Sequence, residues 1–150
     1  LPGDADEKLK YYNLPFADKL DELLSKQYVE ALNNQGRLQS HPLSFVRGMS
    51  WNCKAIILDE AQNCTQKEIV TLMTRVGEFS KCFILADPDQ SDLGNGKSGG
   101  FEKLQSIFND EESAQKGIYS FYFSEDDIKR SELVKFIVKK LKSLSPASRV

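Results

Sequence analysis

Histidine and cysteine are scarce in this 150-residue sequence, which has a single histidine and three widely spaced cysteines. No C-x-x-C pair occurs, which disfavours a Cys/His zinc site. No apolar run approaches the ~20 residues that a membrane-spanning helix needs, so we expect no membrane partner. The chain begins with the acidic, polar stretch LPGDADEK, which does not resemble a signal peptide. An odd number of cysteines without a signal peptide favours a reducing cytoplasm.

A complete phosphate-binding loop is also missing. The P-loop pattern is G-x-x-x-x-G-K-[ST], and the chain contains the tempting tripeptide Gly96-Lys97-Ser98. The pattern then requires glycine at position 91, where the chain has Ser91. We therefore predict a surface loop here. The formal net charge of −2 indicates no global attraction to nucleic acid, although it leaves room for a local basic patch.

Strand-like and helix-like segments alternate along the chain. CKAIILDE and KCFILAD are apolar runs without polar alternation, which is typical of parallel strands buried on both faces. GIYSFYF, aromatic and β-branched, predicts a third strand that packs in the core. The alternation predicts an α/β fold, three layers thick, around a parallel sheet. Apolar spacing and helix-end signals predict helices over residues 15–33, 66–76, 101–108 and 131–144.

Two of the predicted strands end in acids. Asp59 and Glu60 follow AIIL, and Asp87 follows FILA. If these strands are parallel neighbours, their carboxyl ends lie at one edge of the sheet, where α/β proteins bind ligands. Asp59 is suited to Mg²⁺, which prefers hard oxygen ligands, and Glu60 to orienting or deprotonating a water that attacks a phosphate. Gln90 has an amide that can contact both a phosphate and that water.

Two other interpretations of the acids remain open. Asp and Glu after a strand are often plain loop residues or helix caps, although the apolar run before them and the Ala-Gln-Asn after them favour a nucleotide site. A glycosidase-type carboxylate pair needs two carboxyl groups ~5–9.5 Å apart. Adjacent strand residues point to opposite faces, so Asp59 and Glu60 would have to leave the strand before they cooperate.

Several motifs occur together in an order that resembles PhoH-like proteins. They are LPGDADEKL, PLSFVRG, IILDEAQNCT, TLMTRVG, ADPDQSDL, KSGG and DDIKRSELVKFIV, and they cover the chain from its start to about Leu141. PhoH-like proteins are P-loop ATPases related to superfamily 1 helicases. The resemblance implies that residues 1–150 are a partial PhoH-like ATPase domain. It would be a RecA-like P-loop NTPase core without its N-terminal P-loop strand and first helix.

The resemblance also implies roles for particular residues. Asp59 and Glu60 would form the Walker B pair, with Asp59 on Mg²⁺ and Glu60 activating water. Gln90 would sense the γ-phosphate, and Arg130 would stabilise transferred charge in the same or a neighbouring subunit. The implied cofactors are ATP and Mg²⁺ in the intact domain. We also assign Asp59, Gln62 and Asp87 to the nucleotide-binding set.

Three functional hypotheses follow from this pattern. The first is that the chain is part of an ATP-hydrolysing PhoH-type domain. The intact protein would act on RNA as a homo-oligomer, and this chain alone would be inactive. The second is a non-catalytic assembly module that supplies Arg130 to a neighbour's site. The third is a nucleic-acid binder that uses Lys97 and the lysines near the end of the chain.

Overall fold

The computed structural model describes residues 5–87, 100–124, 127, 129 and 131–142. The chain divides into two compact units, Leu1–Ser106 and Ile107–Val150. It is a mixed helix and strand protein, as predicted for an α/β fold. Within the described residues, every helix is too short or too polar to cross a bilayer.

The first unit begins with two helices where we predicted one from Pro15 to Asn33. Helix α1 spans Ala5–Leu23 with Pro15 inside it, and α2 spans Lys26–Asn34. The break falls at Ser25, which has extended backbone angles and accepts a hydrogen bond from the backbone N–H of Tyr28. The prediction was wrong both in where the first helix begins and in its continuity. A proline within a helix removes one backbone hydrogen bond, and here the helix continues through it.

The sheet consists of two parallel strands, β1 (Ala55–Leu58) and β2 (Lys81–Ile84), which are direct neighbours. The register pairs Ala55 with Lys81 and Leu58 with Ile84, so both strands end at the same level. This parallel pairing confirms the arrangement expected for CKAIILDE and KCFILAD. Parallel neighbours need a crossover connection, and helix α3 (Gln66–Met73) lies within it.

Helix α3 begins with the capping box that the sequence predicts. The Thr65 hydroxyl accepts from the backbone N–H of Glu68, and the Glu68 carboxylate accepts from the backbone N–H of Thr65. Ile69 and Leu72 face inward from this helix and are almost fully buried. The helix stops at Met73, three residues before the predicted end. The described residues that form the buried hydrophobic core are Val29, Val46, Ala61, Ile69, Leu72 and Leu104.

One face of the sheet is exposed, contrary to the expectation that both faces are buried. Ile57 on β1, its partner Phe83 on β2, and Leu85 just beyond β2 are 51%, 49% and 45% exposed. The alternate residues along both strands are half-buried. An apolar run without alternation therefore indicates the capacity for burial on both faces, whereas actual burial requires a layer that covers each face.

Helix α4 (Gly100–Phe108) matches its predicted span to within one residue. It is followed by α5 (Glu111–Gln115), which was not predicted. The start of α5 is capped by Asp110, whose carboxylate accepts from the backbone N–H of Ser113 at 2.7 Å. An N-cap followed by acids in the first turn is a recognisable helix start, so the sequence did contain a signal for this helix.

The predicted third strand is not a strand. Residues 118–124 adopt no regular structure, and Phe121, Tyr122 and Phe123 are 76%, 73% and 86% exposed. The prediction of a buried strand was wrong because β-propensity reflects packing against neighbours, and no described strand pairs with this segment.

Helix α6 spans Glu132–Lys142, close to the prediction of 131–144. We expected Leu133 and Ile137 to point inward, but they are 68% and 43% exposed, whereas Val134 is half-buried. The amphipathic pattern correctly predicts the helix. It does not show that a partner covers the apolar stripe. The side chains of Val138 and Leu141, also expected inside, lie outside the described part of the structure.

Candidate functional site

The ends of β1 and β2 are joined by backbone hydrogen bonds beyond the last paired residues. The N–H of Leu85 donates to the carbonyl of Leu58 at 2.8 Å, and the N–H of Ala61 donates to the carbonyl of Leu85 at 2.9 Å. These bonds hold the chain after β1 against the chain after β2. Acidic residues that follow the two strands therefore lie at one edge of the sheet, as the sequence predicts for an α/β ligand site.

Glu60 has an unusual backbone conformation at this edge. Its φ of 54° and ψ of 36° place it in the left-handed region, which side-chain-bearing residues seldom adopt. The carboxylate of Asp59 accepts a hydrogen bond from the Glu60 N–H at 3.0 Å, which supports the turn from the side chain. Such conformations cost about 1–3 kcal/mol and cluster at functional sites. The turn also takes Asp59 and Glu60 out of strand geometry, which was the condition for these two acids to act together.

Gln62 links the two strand ends through its side chain. Its amide nitrogen donates to the Glu60 carboxylate, and its amide oxygen accepts from the Asp87 N–H at 3.0 Å. The side chain is almost fully buried, with 3% exposure, whereas Glu60 and Asp87 are exposed. Gln62 lies in the short 3-10 turn Ala61–Asn63 that follows Glu60. One buried amide therefore ties the catalytic candidate after β1 to the backbone after β2.

Gly100 fixes a second close approach beside this edge. A Cβ atom at Gly100 would lie 2.1 Å from the backbone nitrogen of Gln66 and 2.7 Å from the carbonyl carbon of Thr65. The Gly100 N–H donates to the Cys64 carbonyl at 3.3 Å. The start of α4 thus packs backbone to backbone against the start of α3. Only glycine fits at this contact, which the KSGG pattern alone does not reveal.

The acids at the edge have the donor chemistry that Mg²⁺ requires. Mg²⁺ is usually held by one or two carboxylates together with substrate phosphates and water, so it needs no protein cage. Asp59 offers an exposed carboxylate, one oxygen of which accepts from the Glu60 N–H. In the described part of the chain no cluster of three or more His, Cys, Asp or Glu could hold a metal by itself. The residues fit an ion shared with a phosphate.

The structure brings together four of the six residues predicted for the site. Asp59, Glu60, Gln62 and Asp87 meet at the edge described above, while Gln90 and Arg130 lie outside the described residues. The roles of all six stay predictions. The P-loop-like tripeptide 96–98 also lies outside the described residues.

Comparison with known proteins assigns the chain to a family. Residues 1–142 match the family model described as PhoH-like protein. The chain is 33% identical over 138 residues to a PhoH-like protein of Synechocystis and likewise to one of Bacillus subtilis, in each case over 92% of this chain. It is also 33% identical over 135 residues, 89% of this chain, to protein PhoH of Escherichia coli.

The chain belongs to the PhoH-like family, as the motif order predicts. The matched region covers 41%, 42% and 37% of those three relatives, so this chain spans about two fifths of their length. The family match supports the α/β assignment and, by implication alone, a RecA-like P-loop core.

Proposed function

We propose that this chain forms the acidic half of a PhoH-type ATPase site, with ATP as substrate and Mg²⁺ as cofactor. The observation that carries the proposal is the Gln62 bridge, which connects the Glu60 carboxylate to the backbone of Asp87 across two parallel strand ends. A loop acid used only as a helix cap would need no such connection. Thr65 already caps α3, so neither Asp59 nor Glu60 is required for that purpose.

Asp59 is the residue proposed to hold the metal. Its carboxylate is anchored by the Glu60 N–H and remains exposed at the edge, which orients one oxygen without burying the charge. When bound, Mg²⁺ neutralises phosphate charge and orients the transferred group. Asp59 therefore supplies placement and negative charge, and it has no part in proton transfer.

Glu60 is the residue proposed to orient and deprotonate the attacking water. The hydrogen bond from Gln62 fixes its carboxylate while leaving the residue exposed to solvent. We assign Gln62 a positioning role because both ends of its buried amide are engaged with protein groups. Gln90 and Arg130 complete the proposal from sequence: Gln90 contacts the γ-phosphate and Arg130 stabilises the transferred charge.

The acidic half of such a site does not hold a triphosphate by itself. Phosphoryl transfer depends on positioning and electrostatic stabilisation, and the 150 residues contain no complete phosphate-binding loop. We therefore expect no appreciable ATP turnover by this chain alone. Turnover that disappears in Glu60→Gln would contradict this expectation.

A fusion tests the ATPase proposal. The Bacillus subtilis PhoH-like protein is matched over 42% of its length, and its corresponding region can be replaced by this chain. We expect Mg²⁺-dependent ATP hydrolysis that Glu60→Gln reduces by about 10²- to 10⁴-fold, the usual contribution of a general base. Glu78→Gln, which removes another exposed acid, is the matched control and should retain activity. A folded, active fusion that is indifferent to both Asp59→Asn and Glu60→Gln would refute the assignment.

RNA and a homo-oligomer remain proposed partners that rest on the family resemblance alone. The non-catalytic alternative, in which the chain supplies Arg130 to a neighbour, is tested by adding this chain to the intact Bacillus subtilis PhoH-like protein. It predicts that the effect of the chain on hydrolysis by that protein survives Glu60→Gln and is lost in Arg130→Ala.

A further inference from the structure

A cavity of about 210 Å³ lies between the 3-10 turn Leu43–Phe45 and helix α3, and neither Asp59 nor Glu60 lines it. It is open to solvent on one side and smaller than the ~300–1,000 Å³ of typical ligand pockets. A single phosphate with part of its sugar suits this size better than a whole nucleotide. The cavity is lined by Leu43, Ser44, Arg47, Lys67, Glu68 and Thr71.

Two cationic residues line this cavity and have no anionic partner among the described residues. Arg47 and Lys67 form no ion pair or side-chain hydrogen bond with the described part of the chain, where the two ion pairs lie elsewhere. They come from separate elements, Arg47 from just after the 3-10 turn and Lys67 from the first turn of α3. An anion held between them would be attracted to both charges and accept hydrogen bonds from both.

Glu68 carries the only negative charge in the lining, and it is already engaged. Its carboxylate accepts from the backbone N–H of Thr65 at 2.8 Å and from the Thr65 hydroxyl at 2.7 Å. These hydrogen bonds lower the pKa of Glu68, so it stays charged and committed to the helix cap. Ser44 adds a hydroxyl donor, whereas the Thr71 hydroxyl donates to the Lys67 carbonyl and can only accept. The cationic residues of the lining therefore face one carboxylate, and that carboxylate is already hydrogen-bonded within the helix cap.

We propose that this cavity binds a phosphate group between Arg47 and Lys67, with Ser44 as an additional donor. The ligand chemistry is a phosphate oxyanion, supplied either by a polynucleotide backbone or by a free phosphate compound. The lining includes neither Asp59 nor Glu60, and the proposal does not depend on the ATPase proposal. It gives Arg47, to which the acidic site assigns no role, a ligand of its own.

Nuclear magnetic resonance of the 150-residue chain tests the proposal directly. Inorganic phosphate, ATP and a single-stranded RNA oligomer are titrated separately, and backbone amide shifts are followed. We expect saturable shifts at Ser44, Arg47, Lys67 and Thr71. Tighter binding of RNA than of inorganic phosphate identifies a polynucleotide source, and the reverse order identifies a free phosphate compound. The proposal is overturned if none of the three probes gives a saturable shift at these amides in the unmodified chain.

A charge-matched pair of double variants separates this site from general surface charge. Arg47→Gln with Lys67→Gln removes the proposed site, and Lys26→Gln with Lys103→Gln removes the same net charge from two exposed positions elsewhere. We expect the first pair to abolish the shifts. If RNA is the ligand, the same pair lowers the slope of log affinity against log salt by about 0.7, the contribution of one single-strand phosphate. Equal binding by both pairs would show that the cavity has no special role.

Discussion

At the residue scale, Gln62 is the side chain on which the candidate site depends most. It is a buried polar group whose amide satisfies a carboxylate on one side and a backbone N–H on the other. Its position in IILDEAQN indicated only that it belongs to a nucleotide-binding motif. The bridging role could not be predicted from sequence, because it depends on the register of β1 with β2.

Replacing Gln62 with leucine should destabilise the fold and release Glu60. The change keeps the approximate volume and leaves the Asp87 N–H without the Gln62 oxygen, and losing a partly buried hydrogen bond of this kind costs about 0.5–1.5 kcal/mol. Urea unfolding followed by circular dichroism measures the loss. Gln27→Leu, at an exposed position on α2, is the matched control and should change stability by less than about 0.5 kcal/mol. Equal effects of the two substitutions would show that the bridge contributes nothing.

Gly100 should not tolerate even one additional carbon. In Gly100→Ala the new Cβ would meet the backbone of Gln66, and backbone atoms cannot rotate away as a side-chain end can. Overpacking of this kind costs about 1–3 kcal/mol.

Gly48→Ala distinguishes crowding from backbone strain. Gly48 has a φ of +80°, and a Cβ added there would have no heavy atom within 4 Å, so this variant reports backbone strain alone, about 1 kcal/mol. Thermal unfolding of both variants gives the comparison, with the larger loss expected for Gly100→Ala. A Gly100→Ala protein as stable as the wild type would contradict the close packing of α3 and α4.

At the element scale, helix α3 illustrates what local sequence predicts well. Thr65 and Glu68 specified the capping box because that interaction involves residues only three apart. The parallel strands were also predicted correctly from their apolar runs. The break at Ser25 was missed although its cap, the hydrogen bond from the Tyr28 N–H to the Ser25 hydroxyl, is equally local. The exposure of residues 118–124 was missed because it depends on contacts that local pattern does not contain. The prediction that Leu133 and Ile137 of α6 are buried was wrong for the same reason as the prediction for residues 118–124.

The capping box should make stability depend on pH in acid. Hydrogen bonds from the Thr65 hydroxyl and backbone N–H lower the pKa of Glu68 in the folded protein from its usual value of 4.5. A lowered folded pKa adds stability that is fully present above pH 4.5 and is lost as the pH falls through the folded pKa. Thr65→Ala should therefore cost about 1 kcal/mol near neutral pH, and less in acid.

Unfolding free energies measured from neutral pH into acid test this dependence. Thr71→Ala, which removes a hydroxyl from the same helix without touching the cap, should show a difference from the wild type that does not vary with pH. A Thr65→Ala difference that is constant across the range would exclude a contribution from the Glu68 charge.

At the scale of the whole molecule, one face of the sheet is exposed among the described residues. Ile57, Phe83 and Leu85 form an apolar surface on one face of two parallel strands, and a parallel sheet ordinarily has both faces covered. The chain matches about two fifths of the length of its relatives. Motif order predicted the family, and apolar patterning predicted which surfaces are suited to burial. Patterning within this chain does not show whether a further layer covers those surfaces.

We propose that Asp59, Glu60 and the backbone at Asp87 form one metal-binding edge. Titration of the chain with Mn²⁺, a paramagnetic substitute for Mg²⁺, tests this through the broadening of amide resonances, which reports even the weak occupancy expected without a bound phosphate. We predict that Asp59, Glu60, Ala61 and Asp87 broaden together, that Asp59→Asn removes the effect at all four, and that Asp21→Asn leaves it intact. The proposal is contradicted if the broadening is confined to other acidic surfaces. It is also contradicted if the residues that follow β1 broaden and Asp87 does not.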